Sequence, residues 1–157
     1  MKIIALTDIH GGYKNAYDII EKEAADVVII GGDLTAVGSV KEAMEVIHKF
    51  QNCTSYLLCV AGNMDTPEHD DLFDRLGCSI NGKGIAVNDI GIFGVSAAPY
   101  SRLQTPYEIS ESEIARRLNA GFNQVKNCRI KISVSHAPRM ERSWTLSGRV
   151  FMLVVLR

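Results

Sequence analysis

The sequence lacks the long apolar run that a membrane-spanning helix requires. No apolar stretch reaches the roughly 18 residues that cross a bilayer. The N-terminus also lacks the layout of a signal peptide, because an apolar, strand-like run begins directly at residue 1. We therefore expect no membrane association and no exported leader.

Cysteine pairs and an excess of charge of one sign are absent as well. The cysteines at 53, 59, 78 and 128 include no Cys-x-x-Cys motif, and Cys59 and Cys128 fall in apolar, strand-like runs. This pattern favours reduced thiols and a cytoplasmic protein. The 17 basic and 18 acidic side chains leave a net charge of −1, which provides no argument for a specific nucleic-acid partner.

What is present is an ordinary globular composition with alternating strand and helix patterns. The 157 residues are 46% hydrophobic and 22% charged and contain no repeat or linker, which predicts one domain over residues 1–157. Strand-like runs at 1–6, 26–30 and 56–60 alternate with helical periodicity at 13–24, 40–50 and 66–76. This alternation predicts an α/β fold with parallel strands and helical crossovers.

From about residue 78 the pattern changes to shorter strands. Runs at 79–80, 84–87 and 90–95 are joined by turn residues, which predicts an antiparallel extension. A polar loop follows from 96 to 110, then a helix whose apolar side chains span 114–125, then a strand at 130–135. His48 and His69 lie on predicted helices, where we expect them to face solvent.

Five polar residues follow the predicted strands at their carboxyl ends. Asp8 and His10 follow the first strand, Asp33 the second, Asn63 the third and His136 the last. Ligands of open α/β sheets bind at this edge. Two carboxylates, two imidazoles and a carboxamide suit Mn²⁺, Fe²⁺ or Zn²⁺, and Asp33 could bridge two ions. Two ions about 3.5–4 Å apart can hold a hydroxide and clamp both oxygens of a phosphoryl displacement.

Each of these residues, taken alone, also has an ordinary structural explanation. Asp33 could cap a helix, and Asn63 could belong to a turn. His136 could be a hydrogen-bonded loop histidine. The occurrence of all five at the ends of predicted strands favours the metal site over these separate explanations.

The motifs that contain these residues resemble those of the calcineurin-like metallophosphoesterase superfamily, and in particular its small archaeal and bacterial phosphodiesterases. Successive family motifs are matched by Asp8-Ile9-His10, Gly32-Asp33 and Gly62-Asn63-Met64-Asp65, and the lone histidine that follows them is matched by His136. The resemblance covers residues 1–138. It implies a sandwich of two mixed β-sheets flanked by helices.

The resemblance also implies a function, a divalent-metal-dependent phosphoesterase and most simply a phosphodiesterase. Asp8 and His10 would serve one metal ion, Asp33 would bridge, and Asn63 and His136 would serve the other. Attack by a metal-bridging hydroxide would make Asp33, Asn63 and His136 the catalytic residues. Manganese is the expected metal, with iron, zinc and nickel as alternatives, and the substrate would be a phosphate-ester small molecule or nucleotide.

The alternative function is a protein-interaction scaffold on the same fold. The small retromer subunit resembles this family and is regarded as a scaffold rather than an efficient enzyme. The presence of all five expected ligands favours the enzyme, because a scaffold has no physical need to hold two carboxylates and an imidazole together.

Two features depart from the family pattern. Met64 stands where many relatives have a histidine near the leaving group, and a thioether cannot donate a proton. This favours esters and diesters with good leaving groups. The second departure is that no Gly-His-x-His motif follows His136, so by analogy one imidazole per metal is missing and activity would be weakened.

The atypical segment 139–157 accompanies this second departure and indicates a truncated or frame-shifted C-terminus. Its apolar run at 150–156 could form a final strand or remain exposed. An open edge there would favour a homo-oligomer formed through the tail.

Overall fold

The first part of the chain forms a three-stranded parallel sheet. The computed structural model describes residues 1–36, 39–136 and the strand at 150–154. The sheet contains β1 (Ile3–Leu6), β2 (Val27–Ile30) and β3 (Tyr56–Cys59), in that order. Helices α1 (Tyr13–Glu23) and α2 (Val40–Gln51) connect successive strands. Parallel neighbours require such crossovers, and the predicted alternation of strands and helices is confirmed.

The rest of the chain contributes a second, mixed sheet. The remaining elements in chain order are α3 (Pro67–Arg75), β4 (Gly84–Val87), β5 (Ile90–Val95), β6 (Ala98–Pro99), β7 (Glu108–Ile109), α4 (Glu111–Val125), β8 (Ile130–Ser135) and β9 (Val150–Val154). Strands β4, β5, β8 and β9 form this sheet in that order, and β6 and β7 pair separately.

The predicted antiparallel extension is confirmed for the runs at 84–87 and 90–95, which pair as β4 and β5. Strand β8 pairs with β5 in parallel, and β9 pairs with β8 in parallel. Strands β5 and β8 can run in parallel because helix α4 lies between them in the chain and returns it to the same end of the sheet. The predicted strand at 79–80 is a pair of bridges instead, Cys59 with Ser79 and Asn81 with Gly94, which link the two sheets.

The hydrophobic core has three layers of contact. Side chains of β2 and β3 that alternate toward the second sheet pack against β5 and β8, through residues such as Ile29, Ile92 and Val134. The opposite face of the first sheet packs against α1, α2 and α3. Helix α4 covers the second sheet, where Leu118 and Phe93 belong to one buried cluster. Two sheets packed face to face and flanked by helices confirm the predicted sandwich.

One buried histidine contradicts the expectation from sequence. His48 is exposed, as predicted, but His69 is fully buried. Its Nδ1 accepts the main-chain N–H of Thr66 at 3.1 Å, and this bond completes a capping box at the start of α3. His69 is therefore buried because it lies three residues after the N-cap Thr66 and bonds back to it. Its place in the helical pattern had suggested an exposed side chain instead.

The described helices include none that is long and apolar enough to cross a membrane. The predicted atypical tail, residues 139–157, lies outside the described residues except for β9. Of the two alternatives for the apolar run at 150–156, a final strand or an exposed segment, the structure supports the strand, because Val150–Val154 pairs with β8.

Candidate metal centre

The loops that follow β1 and β2 run side by side at the carboxyl edge of the first sheet. The main-chain N–H of Asp8 donates to the Gly32 carbonyl at 3.1 Å, and that of His10 donates to the Asp33 carbonyl at 3.0 Å. These bonds extend the strand pairing by a few residues beyond the sheet. As a result, Asp8, His10 and Asp33 reach the same end of the molecule.

The backbone at these three residues adopts a conformation that non-glycine residues rarely use. The φ angles are +51° at Asp8, +44° at His10 and +51° at Asp33. A left-handed backbone costs about 1–3 kcal/mol at such positions, although Asp and His tolerate it better than bulkier residues. Strain of this kind persists where the surrounding structure imposes it, and it turns the three side chains away from the usual alternation of a strand.

Two glycines allow the loops to approach each other closely. A Cβ at Gly32 would lie 2.5 Å from Nδ1 of His136, and the φ of Gly32 is +105°. A Cβ at Gly62 would collide with Oδ1 and the main-chain nitrogen of Asp33. Since real Cβ atoms do not come so near, the glycines that precede Asp33 and Asn63 are required sterically.

Asp33 occupies the centre of the site and is completely buried. Its Oδ1 accepts the main-chain N–H of Met64 at 2.8 Å. Its Oδ2 lies 3.5 Å from Nε2 of His10 and 3.4 Å from Nε2 of His136. One carboxylate oxygen therefore accepts a main-chain N–H, and the other lies near two imidazoles.

His136 reaches Asp33 from the second sheet, at the end of β8. Its Nδ1 lies 2.9 Å from the Gly31 carbonyl and donates to it, which leaves Nε2 facing Asp33 and Asn63. Nε2 lies 2.9 Å from Oδ1 of Asn63. Burial lowers the pKa of this imidazole, but the hydrogen bond and charge of Asp33, the Gly31 carbonyl and the charge of Asp8 together outweigh burial, so that the pKa is raised.

Asp8 and His10 form the more open side of the site. Oδ1 of Asp8 lies 3.7 Å from Nε2 of His10, whose side chain is 41% exposed. Oδ2 of Asp8 accepts a hydrogen bond from the Thr7 hydroxyl at 2.8 Å. Solvent, or a small molecule, can therefore reach the centre from the His10 side.

The ligand atoms fit divalent metal ions. Asp8, Asp33 and His136 offer atoms that all lie within 4.8 Å of one another. Ligands bonded to one ion at about 2.0–2.2 Å are themselves about 3 Å apart, close to the separations around Oδ2 of Asp33. When His136 is neutral, its Nε2 is an electron-pair donor beside Oδ2 of Asp33 and Oδ1 of Asn63, a set of donors that suits a divalent cation.

Asp65 has a structural role that sequence reasoning did not assign. Its buried carboxylate accepts the N–H of Gly62 at 2.8 Å and those of Leu34 and Thr35 at 3.3 Å each. It thereby connects the loop after β2 to the loop after β3. Its position as the last residue of the motif Gly62-Asn63-Met64-Asp65 was the one sequence feature that could have indicated this role.

The chain belongs to the calcineurin-like phosphoesterase family, which it matches over residues 1–153. This family consists of metal-dependent phosphoesterases, and the site has the donor types that such chemistry requires. The predicted family is therefore confirmed.

Individual proteins similar to this chain include one known by sequence and one known by structure. MJ1162 of Methanocaldococcus jannaschii, described as uncharacterized, is 36% identical over 140 residues, which cover 88% of this chain and 61% of that protein. The chain thus spans about three fifths of the length of this relative. The crystal structure of TT1561 of Thermus thermophilus matches with a TM-score of 0.70 over 94% of this chain and 72% of that one. At 14% identity, that likeness concerns the fold.

The close approach of Gly62 to Asp33 leads to a prediction about metal affinity. Gly62→Ala should push Asp33 out of position and weaken Mn²⁺ binding by at least about tenfold, as measured by isothermal titration calorimetry. Gly77→Ala is the matched control, because Gly77 has a φ of +70° but no atom within 4 Å of an added Cβ. Equal Mn²⁺ affinities in the two folded variants would contradict this interpretation of the site.

Proposed function

We propose that this chain is a divalent-metal-dependent phosphodiesterase that uses two metal ions. The observation that supports the proposal best is the position of Asp33 Oδ2, 3.5 Å from Nε2 of His10 and 3.4 Å from Nε2 of His136. A buried carboxylate oxygen between two imidazoles has the arrangement expected of a ligand shared by two ions.

We assign the ligands to two ions according to which of the two imidazoles near Asp33 they accompany. Asp8 and His10 would hold one ion, Asn63 and His136 would hold the other, and Asp33 would contribute to both. The mixed oxygen and nitrogen donors suit Mn²⁺, which we propose as the working metal, with iron, zinc and nickel as alternatives. When bound, such a pair supplies a nucleophile from water and neutralises charge that develops on the phosphoryl oxygens.

The residues of the chain then orient the ester and set the leaving-group requirement. The carboxamide of Asn63 can donate an N–H to a phosphoryl oxygen while its oxygen faces His136. The hydrogen bond from Nδ1 of His136 to Gly31 fixes the ring that Asn63 faces. Met64, next to Asn63, offers no proton to a departing oxygen, which favours diesters whose leaving groups need little protonation.

The substrate that fits this arrangement is a phosphate-ester small molecule or a nucleotide, entering from the exposed His10 side. We also propose a cytoplasmic location. It is supported by the absence of a disulfide among the four cysteines, all of which fall within the described residues, and subcellular fractionation would test it.

Replacement of Asp33 tests the proposed function directly. Asp33→Asn should lower Mn²⁺-dependent hydrolysis of bis-p-nitrophenyl phosphate at least about a hundredfold, because the shared ligand loses its charge. Asp89→Asn serves as the control, since Asp89 lies exposed on the turn before β5 and pairs loosely with Arg129 at 3.6 Å. Equal hydrolysis by parent and Asp33→Asn protein would show that the activity arises elsewhere, and absence of Mn²⁺-dependent hydrolysis in the parent would favour the scaffold alternative.

Substitution of Met64 tests the leaving-group argument. Met64→His would place a proton donor beside Asn63 and should raise hydrolysis of an alkyl monoester, glycerol 2-phosphate, by about a hundredfold. The rate with bis-p-nitrophenyl phosphate should change much less, because p-nitrophenolate leaves without help. Met64→Leu controls for changes in packing. An equal gain with both substrates, or the same gain from leucine, would contradict the argument.

Self-association through β9 is a further part of the proposal. Among the described strands, β9 stands last in the order of the second sheet, and an edge strand is the part of a sheet most able to pair with a second copy. Light scattering should therefore detect a mass above that of a monomer as concentration rises. A strictly monomeric mass over a wide concentration range would rule this interaction out.

A further inference from the structure

A partly buried polar network centred on Asp70 contacts the loop that carries Asn63. Asp70 belongs to α3, and its side chain is 13% exposed. Its Oδ1 accepts the Ser96 hydroxyl at 2.6 Å, and its Oδ2 accepts the Tyr107 hydroxyl at 2.6 Å and the Asn81 side-chain N–H at 2.7 Å. Three donors thus converge on one carboxylate that is not among the candidate metal ligands.

The first connection from Asp70 to the site passes through Ser96. The Ser96 hydroxyl donates to Asp70 and accepts the main-chain N–H of Ala61 at 2.9 Å. The next residue, Ala97, donates its N–H to the Ala61 carbonyl at 2.9 Å. Both main-chain groups of Ala61 are therefore fixed two residues before Asn63.

The second connection passes through Tyr107. Its hydroxyl donates to Asp70, and its main-chain N–H donates to the carbonyl of Asn63 at 3.1 Å. Arg117 donates to the same hydroxyl at 3.1 Å and lies 4.0 Å from Asp70. One carboxylate consequently restrains the chain at Asn63 itself as well as two residues before it.

We propose that Asp70 is a positioning residue. It holds Asn63 in place to bind the phosphoryl group and the metal ion that Asn63 shares with His136. The inference rests on the proposed function for the role of Asn63, but the geometry of the network does not depend on it. A largely buried carboxylate is costly unless its acceptors are used, and both oxygens of Asp70 accept hydrogen bonds from segments that hold the Asn63 loop.

The hydrogen-bond directions make the network specific for a carboxylate. An ionised carboxylate can only accept, so the Ser96 hydroxyl and the Asn81 side-chain N–H both donate to Asp70. An amide at position 70 would present a donor to one of these donors. Asp70→Asn is therefore close in shape but opposite in hydrogen bonding at one atom.

Amide hydrogen exchange of the metal-free protein provides a test that is independent of activity. Asp70→Asn should raise the exchange rates of the Ala61 and Tyr107 amides by about tenfold or more, as expected for a loss above 1.4 kcal/mol in local stability. Ser96→Ala should affect Ala61 more than Tyr107, and Tyr107→Phe should do the reverse. Asp71→Asn, at the exposed neighbour of Asp70 on α3, should change neither amide.

Calorimetric titration with Mn²⁺, performed well below the unfolding temperature, completes the test. In the Asp70→Asn protein the ion held by Asn63 and His136 should bind about 10–100-fold more weakly than in the parent. The affinity of the ion held by Asp8 and His10 should be unchanged. A merely structural role would lower thermal stability but leave both ions bound with parental affinity in the folded protein. That result, or unchanged exchange at both amides, would overturn the inference. Failure of the parent to bind two ions would instead count against the proposed function.

Discussion

A fully buried carboxylate between two imidazoles is the constraint on which the rest of this structure depends. Asp33 brings a negative charge to the junction of the two sheets, where His10 and His136 face the same oxygen. A buried charge is unfavourable unless positive charge and hydrogen bonds compensate it. The N–H of Met64 donates to one oxygen, and a divalent cation beside the other would add positive charge to the site.

Many local features of the fold follow from this constraint. The left-handed backbone at Asp8, His10 and Asp33 directs three side chains to one point. The lack of a Cβ at Gly62 leaves room for Asp33, and Asp65 connects the loops that follow β2 and β3. Because His136 comes from the second sheet, the site is complete only when both sheets are packed against each other. The same hydrophobic interface that stabilises the sandwich therefore assembles the candidate centre.

The sequence was most informative where the signal is local. Apolar runs ending in Gly-Asp or Gly-Asn predicted both the strands and the residues at their ends, since the carboxyl ends of parallel strands meet at one edge of a sheet. The parallel pairing of β8 with β5 was missed, because it depends on how α4 returns the chain and not on the composition of the strands. Asp70 was also missed. Nothing in its neighbourhood distinguishes it from Asp71, and its partners Ser96 and Tyr107 are brought together only by the tertiary fold.

Anomalous diffraction from crystals soaked in Mn²⁺ tests the central claim most directly. The account predicts two manganese peaks about 3.5–4 Å apart on either side of Oδ2 of Asp33, one beside His10 and the other beside Asn63 and His136. Peaks at other places, or none within bonding distance of Asp33 at saturating Mn²⁺, would contradict it.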